Sequence, residues 1–407
     1  MSVNRLLNDV LKDISLNSKE LSEIKKKANE VVGFFKKKGY DAKIGGSLAK
    51  NTLVKKDNQD VDIFVVLQNG DISKVEPVVK KHFSDVVVVH GSRDYLKIKS
   101  DNILFEIIPI VKFKKPEDAQ NITDFSLIHV NYITKVIKKN KKLADEIKLA
   151  KAFCVAQKCY GAESYIGGFS GYALEVLVCH YGGFVNFLKK IRKDKIIDPM
   201  KYFKNKDEIM RELNESKLVS PIVLIDPTYK YRNVCAGLTQ ETLDLFLDSV
   251  DKFLKKPSVD FFVHKEFSVS EFLETAKKED LIVYKINFNT NRQEGDVAGT
   301  KMKKMLRFLI KNLEKKEQKV VYSDFVYSGG QDATGYLAIK IKELIDIKGP
   351  SVKLKDAVDK FKKVRKNISV SGGFARAKEE VAIPVIFISS NTVAESMMVG
   401  FTPEKIL

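Results

Sequence analysis

The chain lacks any run of about 20 apolar residues, so no segment of it reads as a membrane-spanning helix. Its opening residues, MSVNRLLNDVLKD, lack the charged-then-apolar order of a secretory leader. Cysteine is scarce: Cys154, Cys159, Cys179 and Cys235 form no Cys-x-x-Cys pair and no zinc-finger spacing. A disulfide scaffold and a structural zinc finger are thereby excluded, and four buried thiols in a reducing cytoplasm are expected. There is no internal repeat and no low-complexity tract, which removes solenoids and disordered tails. Acidic side chains are in deficit. The 53 Asp and Glu against 71 Lys and Arg leave a formal charge of +18, and the pI is about 9.4. Such an excess points to a polyanionic partner, most often nucleic acid. It is concentrated in 189-KKIRKDKIIDPMKYFKNK-206 and 353-KLKDAVDKFKKVRKN-367.

What is present is enough apolar residue, 44% of 407, for several packed cores. Residues 18–38 carry Leu21, Ile24, Ala28, Val31, Val32 and Phe35 on one helical stripe, stopped by Gly39. Strands are expected at 42–45, 61–67, 85–90, 94–99 and 103–110, with a helix near 75–83. This gives an α/β layer with a mixed sheet over 1–123. Helical patterns dominate 124–255. From 256 to 407 strands and helices alternate again, with a strand expected at 381–388 and an inserted subdomain at 297–348. The expected fold class is a multidomain α+β protein.

The most informative stretch is 45-GGSLAKNTLVKKDNQDVDIFVVL-67. A Gly-Gly-Ser turn precedes an apolar strand whose start holds Asp60 and Asp62. Alternate strand positions share a face, so the two carboxylates point the same way. Their repulsion is relieved by a cation between them, and hard oxygens in small number suit Mg²⁺ carrying a substrate's phosphates. The Gly-Gly-Ser turn offers pliable backbone and the Ser47 hydroxyl for close approach to phosphate. Two solvated acids at a strand end are the alternative. A third acid, Glu106, stands alone among seven apolar residues in 103-ILFEIIPI-110. It is either a further metal ligand or the partner of Lys97 or Lys99 on the neighbouring strand.

The order Gly-Ser, acid-x-acid and a third acid on a later strand resembles the polymerase-beta-like nucleotidyltransferase superfamily. The segments 124-DFSLIHVNYI-133, 163-ESYIGGFSGYALEVLVCHYG-182, 226-DPTYKYRNVCAGL-238, 257-PSVDFF-262 and 348-KGPSVKLKDAVDKF-361 narrow the resemblance to archaeal CCA-adding enzymes. It runs along nearly the whole chain, weakest over 298–345. The resemblance implies an N-terminal nucleotidyltransferase palm, a helical central domain and a C-terminal α/β RNA-binding region. It implies template-independent addition of CCA to the 3′ end of tRNA from CTP and ATP. It also implies Mg²⁺ as cofactor, a cytoplasmic location and, as one possible assembly, a homodimer. Asp60, Asp62 and Glu106 match the metal-binding catalytic acids. Ser47 and Lys50 match contacts to the triphosphate. His129, Lys151 and Tyr160 match further nucleotide ligands, and Arg232 matches the arginine that helps to read the base. Glu106 stands where Asp is usual, and Lys50 where Arg is common. Lysine cannot grip phosphate bidentately.

Taken residue by residue, plainer roles remain open. His129 has Phe125 and Tyr132 at packing spacings, Lys151 flanks an apolar helix, Tyr160 sits at a helix end and Arg232 could pair with Asp226. Two rival functions also remain: another template-independent RNA nucleotidyltransferase such as a poly(A) polymerase, and a non-catalytic tRNA-binding protein of the same fold.

Overall fold

A capping box opens the first long helix of the sheet layer. The Asn17 side chain accepts from the Glu20 backbone N–H and the Glu20 carboxylate accepts from the Asn17 backbone N–H, ordering the start of α2 (Ser18–Lys37). Before it runs α1 (Val3–Ile14). The computed structural model describes residues 2–68, 70–90, 93–342, 344–365, 367–380 and 382–407. The chain divides into two compact units, Met1–Lys265 and Glu266–Leu407.

In the first unit, Ile24, Ala28, Val31, Val32 and Phe35 of α2 are buried, which is the stripe read from the sequence. They belong to the core of a five-stranded sheet. Its strands are β1 (Asp41–Ile44), β2 (Gln59–Val66), β3 (Val86–Val89), β4 (Tyr95–Ser100) and β5 (Ile103–Ile110), in the order β1-β2-β5-β4-β3. In this sheet β2 and β5 run parallel while β1/β2, β3/β4 and β4/β5 run antiparallel, so it is mixed as expected. The Gly-Gly-Ser segment is not a bare turn. Gly45 caps a short helix, α3 (Gly46–Lys50), and α4 (Glu76–Lys80) follows later.

A second core in the same unit is helical, built on α5 (Ser126–Lys139), α6 (Leu143–Ala156), α7 (Gly171–Tyr181) and α8 (Phe184–Lys190). Leu6, Leu7 and Val10 of α1 pack into it, so the chain's first helix belongs to this core and not to the sheet that follows it. The region also holds a small sheet that the helical reading of 124–255 passed over: β6 (Ile196–Ile197), β7 (Val223–Asp226) and β8 (Tyr229–Asn233). α9 (Lys206–Glu212) and α10 (Glu215–Leu218) pack beside it, and α11 (Gln240–Lys255) joins the helical core.

The second unit opens with α12 (Val269–Lys278), β9 (Ile282–Asn289) and α13 (Gly295–Lys315). There follow β10 (Lys319–Tyr327), β11 (Asp332–Lys340), β12 (Leu344–Ser351), α14 (Lys355–Val364), β13 (Ile368–Ser371) and β14 (Phe374–Glu380). It closes with α15 (Ile383–Ile388), α16 (Asn391–Met397) and β15 (Gly400–Lys405). One sheet has the order β10-β11-β9-β15 and a second the order β12-β14-β13.

Two expectations are corrected here. Residues 297–348 do not form an insertion, because β10 and β11 pair into the sheet that contains β9 and β15. The separate sheet is built from 344–380. The strand expected at 381–388 is a helix over Ile383–Ile388, and Val381 lies outside the described residues. Ile383, Ile386 and Phe387 are its buried positions, a helical spacing that six residues are too few to announce.

Candidate active site

Parallel pairing puts Asp62 of β2 opposite Glu106 of β5, and Asp60 opposite Leu104. Asp60, Asp62 and Glu106 therefore share one face of the sheet. Burial of Asp62, helped by the nearby Glu106, pushes its carboxyl up to about 6, although the Lys50 ammonium works against the shift. The other two acids each meet a lysine. Asp60 accepts from Lys56 Nζ at 2.8 Å and Glu106 from Lys97 Nζ at 3.1 Å. The alternative reading of Glu106 as a partner of Lys97 is thus a real contact. Among the described residues no three His, Cys, Asp or Glu side chains gather closely enough to chelate an ion as they stand. Asp60 and Glu106 are each engaged by a lysine. Both pairs are partly exposed, and such pairs exchange partners at little cost.

Local chain geometry fixes this face. Gly46 has φ +54, and a Cβ there would meet Asp62 Oδ2 at 1.5 Å, while a Cβ on Gly45 would meet the Phe64 ring at 2.0 Å. The Gly45 N–H donates to the Asp62 carbonyl at 2.8 Å. Both glycines are therefore demanded by close approach of α3 to β2.

A cleft of about 590 Å³ opens on these residues, lined by Ser47, Lys50, Asp60, Asp62, Lys151 and Tyr160 among others. Six of the nine residues singled out in the sequence thus share one cavity, and Glu106 adjoins it through Asp62. On its wall Lys50 and Lys151 are buried around a carboxylate that the sequence reading passed over. Glu175 Oε2 accepts from Lys50 Nζ at 2.6 Å, and Oε1 accepts from Lys151 Nζ at 2.8 Å and from Thr52 Oγ1 at 3.1 Å. Lys151 also donates to Thr52 Oγ1 at 3.0 Å when that hydroxyl turns its proton to Glu175. Burial works to raise the Glu175 carboxyl, but Lys151 and Lys50 overcome it and hold the group down at about 2. Burial lowers Lys151 despite Glu175. Burial raises the Tyr160 hydroxyl well above the usual range, so it serves as a neutral donor and acceptor.

His129 and Arg232 lie outside that lining and meet around Asp226. Asp226 Oδ2 is 2.7 Å from Arg232 Nη1 and 3.1 Å from His129 Nε2. Oδ1 accepts from the Tyr172 hydroxyl at 3.0 Å and from the Thr228 hydroxyl and backbone at 2.7 and 2.8 Å. The anticipated Arg232–Asp226 pair is present. Burial lowers the His129 ring against the raising pull of Asp226, and the ring stacks on Tyr172 with centroids 3.9 Å apart. Tyr172 lines the cleft, so it links this cluster to the cavity. Tyr172 and Glu175 stand three apart on α7, and one helix thus serves both clusters.

The chain has relatives among known proteins. A family model described as tRNA nucleotidyltransferase, second domain, covers residues 145–263, the stretch containing Lys151, Glu175 and Arg232. The chain is 35% identical to the CCA-adding enzyme of Nanoarchaeum equitans over 286 residues, 68% of either chain. It is 26% identical to that of Methanocaldococcus jannaschii over 386 residues, 89% of this chain and 84% of the relative. Among solved structures it is similar in fold to Cid1, an RNA terminal uridylyl transferase. That likeness has a TM-score of 0.51 and 13% identity, over 65% of this chain and 98% of the other. With an acid face, a lysine-walled cleft and a relative of this identity and coverage, the chain belongs to the CCA-adding enzyme family.

Proposed function

We propose that this protein adds C, C and A to the 3′ end of tRNA, drawing on CTP and ATP and releasing pyrophosphate. The observation that carries the reading is the shared sheet face of Asp60, Asp62 and Glu106 at a cleft that also holds Lys50 and Lys151. Hard carboxylate oxygens on neighbouring positions, with Asp62 already reluctant to ionise alone, are a donor set that fits Mg²⁺. Asp60, Asp62 and Glu106 are the residues that would hold the metal. When bound, Mg²⁺ supplies positive charge to the phosphoryl oxygens and lowers the cost of ionising the attacking hydroxyl.

The chain's own residues position the substrates. Lys50 and Lys151 offer ammonium donors to the triphosphate, and Ser47 and Tyr160 add hydroxyls. Arg232, tethered by Asp226, offers guanidinium donors to the base, and His129 shares the same carboxylate beside it. The 3′-hydroxyl oxygen of the tRNA then bonds to the α-phosphorus in line with the departing pyrophosphate, and catalysis rests on positioning and charge neutralisation. The basic segments at 189–206 and 353–367 are assigned to the RNA backbone, the latter as part of a C-terminal tRNA-binding region.

The test is a tRNA ending at the discriminator base, incubated with CTP, with ATP and with both. Two additions with CTP alone and a halt after CCA with both are expected. Open-ended A tailing would assign the chain to poly(A) polymerase chemistry, and no Mg²⁺-dependent turnover would assign it to non-catalytic binding.

A further inference from the structure

Glu175 is fully buried, yet nothing in the chemistry above uses it. Its partners come from three places in the chain: Lys50 ends α3, Thr52 follows it and Lys151 lies on α6. As a device for stability this is poor. A buried ion pair gains little over apolar packing of the same volume, and two ammonium groups on one carboxylate leave a surplus positive charge in a desolvated place. Other charged groups lie within electrostatic reach. Asp62 acts on both lysines, the lysines act on each other, and Lys50 acts on His129. Asp62 is assigned to the metal, so it is not the permanent counter-ion. The surplus faces a cleft that both lysines line. Each ammonium has three donors, and Glu175 takes one from each.

We propose that Glu175 is a positioning residue for the incoming nucleotide: its two oxygens hold the Lys50 and Lys151 ammonium groups side by side, so that the triphosphate meets two oriented cations. The inference rests on the reading of these lysines as triphosphate ligands. It also accounts for Lys50 in place of arginine. A single lysine is a mobile point charge, and a buried carboxylate behind it supplies the orientation that a guanidinium carries in its own plane. Orientation established before binding removes an ordering cost that each nucleotide would otherwise meet.

The experiment is steady-state kinetics of Glu175→Gln in the full-length protein, with CTP and with tRNA varied separately. Glutamine keeps the size but turns an N–H₂ toward one lysine. The expected result is a rise of about tenfold or more in KM for CTP and for ATP, with kcat within a few-fold and KM for tRNA unchanged. Glu175→Asp keeps the charge at shorter reach, and its KM should fall between the two, which also covers poor folding of the glutamine variant. Combining Glu175→Gln with Lys151→Ala should add little to the lysine variant alone, because both act through one contact. Unchanged nucleotide KM in Glu175→Gln, or full additivity in the double variant, overturns the proposal. If Lys50→Ala and Lys151→Ala both leave nucleotide KM unchanged, the reading of the lysines fails instead.

Discussion

Gly46 and Asp62 touch so closely that no side chain could come between them: a Cβ on Gly46 would lie 1.5 Å from Asp62 Oδ2. The backbone at Gly46 is also in the left-handed region, with φ +54, where any L side chain is strained. Gly46→Ala should therefore turn the Asp62 carboxylate off the shared face. Nucleotide addition should fall at least about a hundredfold, with a stability loss of about 1–3 kcal/mol. Thermal melts with single-turnover rates measure both. A variant of near-normal rate would mean that Asp62 need not sit where the glycine lets it.

Asp62 itself should be a stability liability. Its carboxyl is raised to about 6 from 3.8 by burial and by Glu106. A raised acid binds its proton more tightly in the folded state, so its contribution is fully present below the unfolded value and is lost as pH rises toward 6. Asp62→Asn, measured with chelator present, should be more stable than the parent at pH 7–8 by about 1–3 kcal/mol, scaling from about 1.4 kcal/mol per unit. The gain should vanish below about pH 4, where the parent's Asp62 is protonated too. The same variant should be inactive in nucleotide addition while tRNA affinity changes little. A loss of stability at neutral pH would contradict the raised value.

How much of this was legible in the sequence depended on range. The stripe of α2, the limits of β5 at Ile103–Ile110 and the shared face of Asp60 and Asp62 are local consequences of period and composition, and all are present. Glu175 was not legible. In 171-GYALEVLV-178 it is a lone acid in an apolar run, as Glu106 is, but which partners it meets is set by tertiary packing, which brings it Lys50 from 125 positions away. The strand β15 was also missed. Its sequence, GFTPEK, has a proline and little β-propensity, which only an edge position in the sheet tolerates. The helix α15 was misread because VAIPVIFI is short, apolar and β-branched. Its Pro384 is compatible with a helix only because it falls in the first turn.

tRNA binding should weaken steeply with salt. The surplus of +18 is concentrated in segments such as 189–206, and phosphate contacts release counterions when they form. A plot of log Kd against log salt should therefore have a large slope, shallower when Lys189, Lys190 and Lys193 are changed together to Ala. A slope near zero would remove the charge excess from tRNA docking.

The last prediction concerns the choice of base. Arg232 is held by Asp226 at 2.7 Å and keeps part of its side chain exposed. A guanidinium offers donors only. Cytosine presents O2 and N3 as acceptors and adenine presents N1, whereas uracil and guanine carry an N–H at the corresponding ring position. An arginine fixed in place can thus serve both correct bases and reject the wrong ones. Losing one such contact should cost about 1–3 kcal/mol, roughly ten- to a hundredfold in discrimination. Arg232→Ala should raise UTP incorporation relative to CTP and ATP by that factor, with single-turnover chemistry persisting at a reduced rate. Asp226 keeps Tyr172, Thr228 and His129 as partners in that variant, so the melting temperature should fall only modestly. Asp226→Asn should impair fidelity in the same direction, because the guanidinium loses its charged tether. If Arg232 serves only as the structural partner of Asp226, the variant should lose thermal stability while its CTP-to-UTP ratio stays at the parent value. That unchanged ratio would end the base-reading assignment.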